Sequence, residues 1–135
     1  MITFNIPGVP VAQGRPRFTT VNGNPRAYDP EKSSEYKIKV GWEAKRHCAE
    51  PLSGAVEVGI QVFVPIPKGF SKKRVLSALA GDIRPTTRPD SDNYGKIIID
   101  ACNGILWRDD AQVVDLNIRK WYSDNPRVEV VVEWE

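Results

Sequence analysis

The segment 56–64 sets the strongest constraint on the fold of this chain. Every second residue in it is valine or isoleucine, and a proline follows directly. Alternation with a period of two indicates a β-strand that is buried on one face. Similar alternation predicts strands over Ile2–Ile6, Val114–Ile118 and Val128–Trp134. Because the turn-forming residues Ser123–Pro126 join the last two strands, we expect these to pair as an antiparallel hairpin.

Helical patterns and one long irregular stretch separate these strands. A helix is predicted from about Glu31 to Glu50, where Pro51 ends it, and a short one over Ser71–Ala80 with Ser71 as N-cap. Pro10–Pro30 is rich in proline, glycine and asparagine, so it is expected to be a loop without regular structure. The order of elements predicts one α+β domain over residues 1–135. About four strands would form a mixed or antiparallel sheet, with helices packed on one face.

Several classes of protein are excluded by composition. The two cysteines, Cys48 and Cys102, lie far apart, and the chain has one histidine, so neither a disulfide framework nor a structural zinc site is expected. No apolar run approaches the ~18–20 residues that a membrane span requires. The N-terminus lacks the features of a signal peptide. We therefore expect a cytoplasmic protein in a reducing environment, without a membrane partner.

Acidic residues are concentrated in one window. Asp90–Asp115 contains six aspartates, one lysine and one arginine, a net charge of −4, although the whole chain carries +2. The remaining residues therefore carry +6. An acidic cluster inside a basic protein is the charge distribution of a metal-dependent enzyme that acts on a polyanion. A solvated acidic face would look the same, and charge alone leaves both interpretations open.

A helix is predicted to begin near Asp92 and to end before Gly104. Its apolar side chains form one stripe, whereas Asp92, Lys96 and Asp100 fall on the opposite side. An N-cap aspartate followed by ordinary salt bridges would explain this face equally well. Asp109-Asp110 follows a turn and precedes a strand, so we expect the chain reversal to bring Asp110 back toward the start of the helix. Three carboxylates gathered there would hold one or two Mg²⁺ ions, with Lys96 nearby to stabilise charge on a phosphodiester.

The same residues resemble a known family. The string Arg88-Pro89-Asp90-Ser91-Asp92-Asn93 with Lys96, followed by Asp100-Ala101 and Asp109–Val114, resembles the RusA-type Holliday junction resolvases. Gly14–Phe18 and Tyr28–Pro30 are similar to the N-terminal loop of members from Gram-positive bacteria and their phages. The resemblance extends over nearly the whole chain.

The resemblance implies a homodimeric, Mg²⁺-dependent endonuclease of four-way DNA junctions, active in DNA recombination and repair and often of prophage origin. Mn²⁺ would be able to substitute for Mg²⁺. Asp90, Asp92 and Asp110 would be the metal-binding carboxylates, and Lys96 the catalytic lysine. A C₂ homodimer also suits the substrate, because two strands related by twofold symmetry must be cut. No small-molecule substrate is implied.

Basic residues outside the acidic window are candidates for binding DNA phosphates. They are Arg15, Arg17, Arg26, Lys72, Lys73 and Arg88. A solvated basic surface is the alternative for each of them. Two other functions share the same sequence features: a metal-dependent nuclease of flaps or forks, and a junction-binding protein without catalytic activity.

Overall fold

Alternating apolar residues build a mixed four-stranded sheet, which confirms the expected α+β class. The computed structural model describes residues 1–135. Its strands are β1 (Ile2–Pro7), β2 (Arg17–Val21), β3 (Asn24–Tyr28), β4 (Val56–Pro65), β5 (Val113–Ser123) and β6 (Arg127–Trp134). Its helices are α1 (Glu31–Lys45), α2 (Lys72–Leu79) and α3 (Ser91–Cys102), with one 3₁₀ turn at Asp110–Gln112. None of the helices is long and apolar enough to cross a membrane.

The strand β4 lies in the interior of the sheet, whose order is β1-β6-β4-β5. It pairs in parallel with β5 and antiparallel with β6, so the predicted β5–β6 hairpin is wrong. The link between those strands crosses the end of β4, because Pro65 pairs with Ser123 and Phe63 with Arg127. Turn-forming residues report that the chain reverses, but they do not report whether another strand lies between the two arms. The strand β4 has the most regular apolar alternation, so it buries the most apolar surface by lying between two neighbouring strands, β6 and β5.

The helices α1 and α3 cover one face of the sheet, as expected from the one-sided strand pattern. The core contains Ile60 of β4, Val130 of β6, Val40 of α1 and Ile97 of α3, none more than 1% exposed. The helix α1 ends at Lys45, five residues before the predicted end. Its last buried residue is Ala44, so a longer helix would bury no further apolar side chain. The helix α2 begins as predicted, with Ser71 Oγ accepting a hydrogen bond from the backbone N–H of Arg74.

Residues 17–28 form a β-hairpin, so the expectation of an irregular loop was wrong for this part of Pro10–Pro30. Asn22 and Gly23 make the connection with φ of 52° and 78°, the positive values that a two-residue hairpin turn of type I′ requires. Every residue of β2 and β3 is exposed. The hairpin therefore contributes nothing to the core, and its side chains are all available to a partner.

Candidate functional site

The N-terminal turn of α3 presents two exposed carboxylates. Asp90 occupies the N-cap position and Asp92 lies in the first turn. Asp92 Oδ1 accepts a hydrogen bond from the backbone N–H of Asn93 at 3.0 Å, and neither aspartate forms an ion pair with a basic side chain. The positive end of the helix dipole favours negative charge at this position. Both carboxylates are therefore free to bind a cation from solvent.

The loop that leads to Asp90 is held against β5 by a lysine. Lys120 Nζ donates hydrogen bonds of 2.9 Å to the carbonyl oxygens of Thr87 and Pro89. Arg84 Nε donates to the carbonyl oxygen of Lys120 at 2.6 Å, and its guanidinium lies 3.5 Å from the ring centroid of Trp121. Sequence reasoning missed these residues, because nothing in a strand pattern shows which loop a lysine contacts. They fix the position of the backbone just before Asp90.

Asp110 lies in a different environment, next to a fully buried tryptophan. Trp107 Nε1 donates a hydrogen bond of 2.9 Å to Asp110 Oδ1. Asp109 caps the 3₁₀ turn, with its side chain accepting from the backbone N–H of Ala111. Burial, and secondarily the charge of Asp110, raises the pKa of the Cys102 thiol to about 12. Because Cys102 is the last residue of α3, Asp110 lies near the C-terminal end of this helix.

The three predicted metal ligands do not converge within one chain. The helix α3 has twelve residues, so about 18 Å separates its two ends. Asp90 and Asp92 lie at one end and Asp110 near the other. No three His, Cys, Asp or Glu side chains gather into a group that would hold a metal ion. The chain reversal does return to the start of α3, but it does so along β5, and the residue that arrives there is Lys120 rather than Asp110.

A polar cleft lies beside the predicted catalytic lysine. Its volume is about 480 Å³ and none of its lining residues is hydrophobic. They are Gln13, Gly14, Arg15, Pro16, Asp29, Asn93, Lys96 and Asp100. The Lys96 side chain is 61% exposed, and its Nζ lies 3.2 Å from Asp100 Oδ2. The cleft thus combines two basic side chains, two carboxylates and two side-chain amides, and its basic and amide groups are suitable for contact with a phosphodiester backbone.

A row of alternating charges runs across α1 and α3 under this cleft. Lys37 Nζ lies 2.6 Å from Asp29 Oδ2 and 3.7 Å from Asp100 Oδ2. Gln13 Nε2 donates to the other oxygen of Asp29 at 3.1 Å. The hydrogen bond from Lys37 holds the pKa of Asp29 below its usual value. Sequence reasoning did not select Asp29 or Lys37 as site residues, although Asp29 lies in one of the family-like segments.

The candidate DNA-binding residues fall into three groups. Arg15 lines the cleft, and Arg88 is exposed just before Asp90. Arg17 and Arg26 lie on the same face of the β2–β3 hairpin, since Arg17 pairs with Tyr28 and Thr19 with Arg26. Lys72 and Lys73 are exposed in the first turn of α2. The structure therefore places Arg15 beside Lys96 and leaves the other basic residues on separate elements.

Comparisons with known proteins bear on this site. A family model described as "Endodeoxyribonuclease RusA" matches residues 7–133 of the chain. The chain is also 46% identical over 134 residues to YqaN of Bacillus subtilis (strain 168), which is described as an uncharacterized protein. That alignment covers 97% of this chain and 94% of the relative.

Proposed function

We propose that this chain, which belongs to the RusA family of endodeoxyribonucleases, resolves four-way DNA junctions by paired symmetric nicks. The family acts on branched DNA as Holliday junction resolvases. The observation that supports the activity for this chain is the first half of α3, where Asp90 and Asp92 stand free of basic partners and Lys96 faces a polar cleft. Its place of action would be the cytoplasm, where its substrate DNA is found.

Each residue of this site would have a separate role in phosphodiester hydrolysis. Lys96 would donate hydrogen bonds to a non-bridging oxygen of the scissile phosphate and stabilise the negative charge that develops there. Arg15, which lines the same cleft, would bind the neighbouring phosphate and fix the position of the strand. The exposed arginines Arg17 and Arg26 would add contacts along the duplex arm.

Nucleases of this family generally depend on a divalent metal ion. We propose Mg²⁺, which Mn²⁺ can replace, because exposed aspartate oxygens are the ligands that these hard cations prefer. Such an ion supplies charge stabilisation and lowers the pKa of a bound water molecule. Within one chain, Asp90 and Asp92 fit this role, whereas Asp110 lies too far away.

A second copy of the chain would supply the missing carboxylate. The strand β5 is eleven residues long and pairs only with β4, so its other edge is unpaired, and Val114 and Leu116 on it are exposed. Antiparallel pairing of two β5 edges around their middle would bring the start of one strand beside the end of the other. The partner's Asp110 would then lie near Asp90 and Asp92. Such a C₂ homodimer would carry two sites, as symmetric cutting requires.

The activity is tested on an end-labelled mobile four-way junction beside a linear duplex of the same sequence, with Mg²⁺ and with EDTA. We expect paired nicks in the junction alone, abolished by EDTA. Asp92→Asn should lose cleavage and keep or improve junction binding, because repulsion between carboxylate and phosphate falls. Cutting restricted to flaps or forks would identify another branched substrate, and tight binding without any cutting would overturn the nuclease assignment.

The shared site is tested by mixing two inactive variants. Neither Asp92→Asn nor Asp110→Asn should cut alone. In a mixed dimer, the Asp110→Asn chain supplies intact Asp90 and Asp92, and the Asp92→Asn chain supplies intact Asp110, so one complete site forms. We therefore expect single nicks from the mixture after the subunits are exchanged. No recovery, with mixed dimers verified by mass spectrometry, would show that each site is built within one chain.

A further inference from the structure

We propose that Asp100 is a positioning residue for Lys96 and that it is itself held by Lys37 and Asp29, so that four alternating charges fix the lysine ammonium over the cleft. This inference rests on the proposed function, in which Lys96 contacts the scissile phosphate. The four side chains come from α1, α3 and the residue just after β3. The arrangement therefore exists only in the folded chain.

Lys96 needs such support because its side chain is long and largely exposed. Its ammonium makes one contact with a carboxylate, to Asp100 Oδ2 at 3.2 Å, one helical turn away. An exposed lysine retains many rotamers, and a single exposed ion pair of this kind holds it weakly. The position of the ammonium thus depends on how firmly Asp100 is placed.

Asp100 is held from its other side. The same oxygen, Oδ2, lies 3.7 Å from Lys37 Nζ, and the side chains of Lys37 and Asp100 are 22% and 28% exposed. Lys37 in turn lies 2.6 Å from Asp29 Oδ2. Because α1 and α3 pack against each other in the core, Lys37 has a fixed base, and the carboxylate of Asp100 is confined between two ammonium groups.

Lys37 also decides how strongly Asp100 holds Lys96. With Lys37 present, the Asp100 carboxylate stays in place between the two ammonium groups, so Lys96 pairs with it at a fixed position. Without Lys37, Asp100 would lose the contact that fixes it, so Lys96 would pair with a mobile carboxylate, and the cleft would gain one net negative charge. Phosphate binding and transition-state stabilisation would both become weaker, although Lys37 itself is not assigned a contact with DNA.

Single-turnover cleavage of the junction tests this proposal in the full-length protein. We expect Lys37→Met and Asp100→Asn to slow the cleavage step about 10- to 100-fold, the cost of a misplaced catalytic group. Lys37→Arg, which keeps the charge, should recover most of the rate. Lys32→Met is the matched control, because Lys32 is an exposed lysine of α1 that forms no ion pair. Equal rates for Lys37→Met and Lys32→Met would overturn the proposal.

A second measurement does not depend on nuclease activity. The order parameter of the Lys96 ammonium group, from ¹⁵N relaxation, should fall in Asp100→Asn and in Lys37→Met and stay unchanged in Lys32→Met. If Lys96 is equally mobile in all four proteins, the positioning role is refuted even where the wild type cuts junctions. If mobility changes but the wild type cuts no branched DNA, the proposed function fails while the positioning of Lys96 stands.

Discussion

Gly95 of α3 lies so close to Ile118 of β5 that a Cβ atom added to the glycine would overlap Ile118 Cδ1. In an exposed helix, Gly→Ala is favourable by about 1 kcal/mol. Here the added methyl group forces Ile118 to move, and overpacking costs about 1–3 kcal/mol. We expect Gly95→Ala to lower the free energy of unfolding, measured by urea denaturation.

Matched variants separate this contact from the general effect of replacing a glycine by alanine. Gly69→Ala should be nearly neutral, because no atom lies within 4 Å of the added Cβ position. Ile118→Val removes the clashing Cδ1 and should reduce the cost of Gly95→Ala in the double variant. A Gly95→Ala protein as stable as the wild type would show that Ile118 adapts freely.

Substitutions of Asp110 should separate stability from catalysis. Asp110→Asn keeps an oxygen that can accept the 2.9 Å hydrogen bond from Trp107 Nε1, so it should unfold at nearly the wild-type temperature while losing cleavage. Asp110→Leu leaves that donor without a partner beside a fully buried ring, at a cost of about 1–3 kcal/mol. Thermal unfolding followed by tryptophan fluorescence distinguishes the two. Equal destabilisation by both would mean that the charge of Asp110, rather than its hydrogen bond, stabilises the turn.

The arginines of the hairpin should affect the salt dependence of DNA binding. The slope of log K against log salt is negative, and each phosphate contact that is removed makes it less steep by about 0.9. We therefore expect Arg17→Ala and Arg26→Ala each to make the slope less steep by about one. Neither variant should lose stability, since the hairpin is exposed throughout. Fluorescence anisotropy between low and moderate salt measures this. Lys68→Ala is the control, because Lys68 is an exposed lysine outside the set of candidate residues. A slope as steep in the arginine variants as in Lys68→Ala would show that the hairpin does not contact DNA.

The two cysteines should differ in reactivity. Burial raises the pKa of Cys102 to about 12 from 9.0, so its thiol stays neutral and shielded in the folded protein. We expect a thiol-specific disulfide reagent to modify Cys48 alone at neutral pH, and both cysteines in denaturant. The unfolded chain ionises Cys102 above about pH 9 and the folded one does not, so this residue reduces stability as pH rises from about 9 to 12. Rapid native labelling of two thiols would contradict the burial.

The sheet could be predicted from the sequence wherever a short segment carries its own signal. Alternation identified β1, β4, β5 and β6, because a strand buried on one face imposes a period of two on its own residues. Pairing partners were not encoded in the same way, and the predicted β5–β6 hairpin failed for that reason. The β2–β3 hairpin had a local signal in Asn22-Gly23 that the many surrounding prolines and glycines obscured.

The residues of the candidate site show the same difference between signals within one segment and contacts between distant segments. Spacing along one helix predicted that Asp92, Lys96 and Asp100 share a face, whereas Asp90 was added by the family resemblance. Lys37 and Lys120 were not predicted, because their partners lie 8 to 63 residues away and meet them only after packing. The expected return of Asp110 failed because the length of β5 intervenes between that residue and the start of α3.

The pairing of β1 with β6 has a consequence for how this protein is made. The strand β1 pairs only with β6, and β6 lies between β1 and β4 in the sheet. During translation, β1 leaves the ribosome long before the one strand with which it pairs. The sheet closes only when Arg127–Trp134 has emerged. Ribosome-bound chains that stop before β6 should therefore recruit chaperones, because their sheet is incomplete.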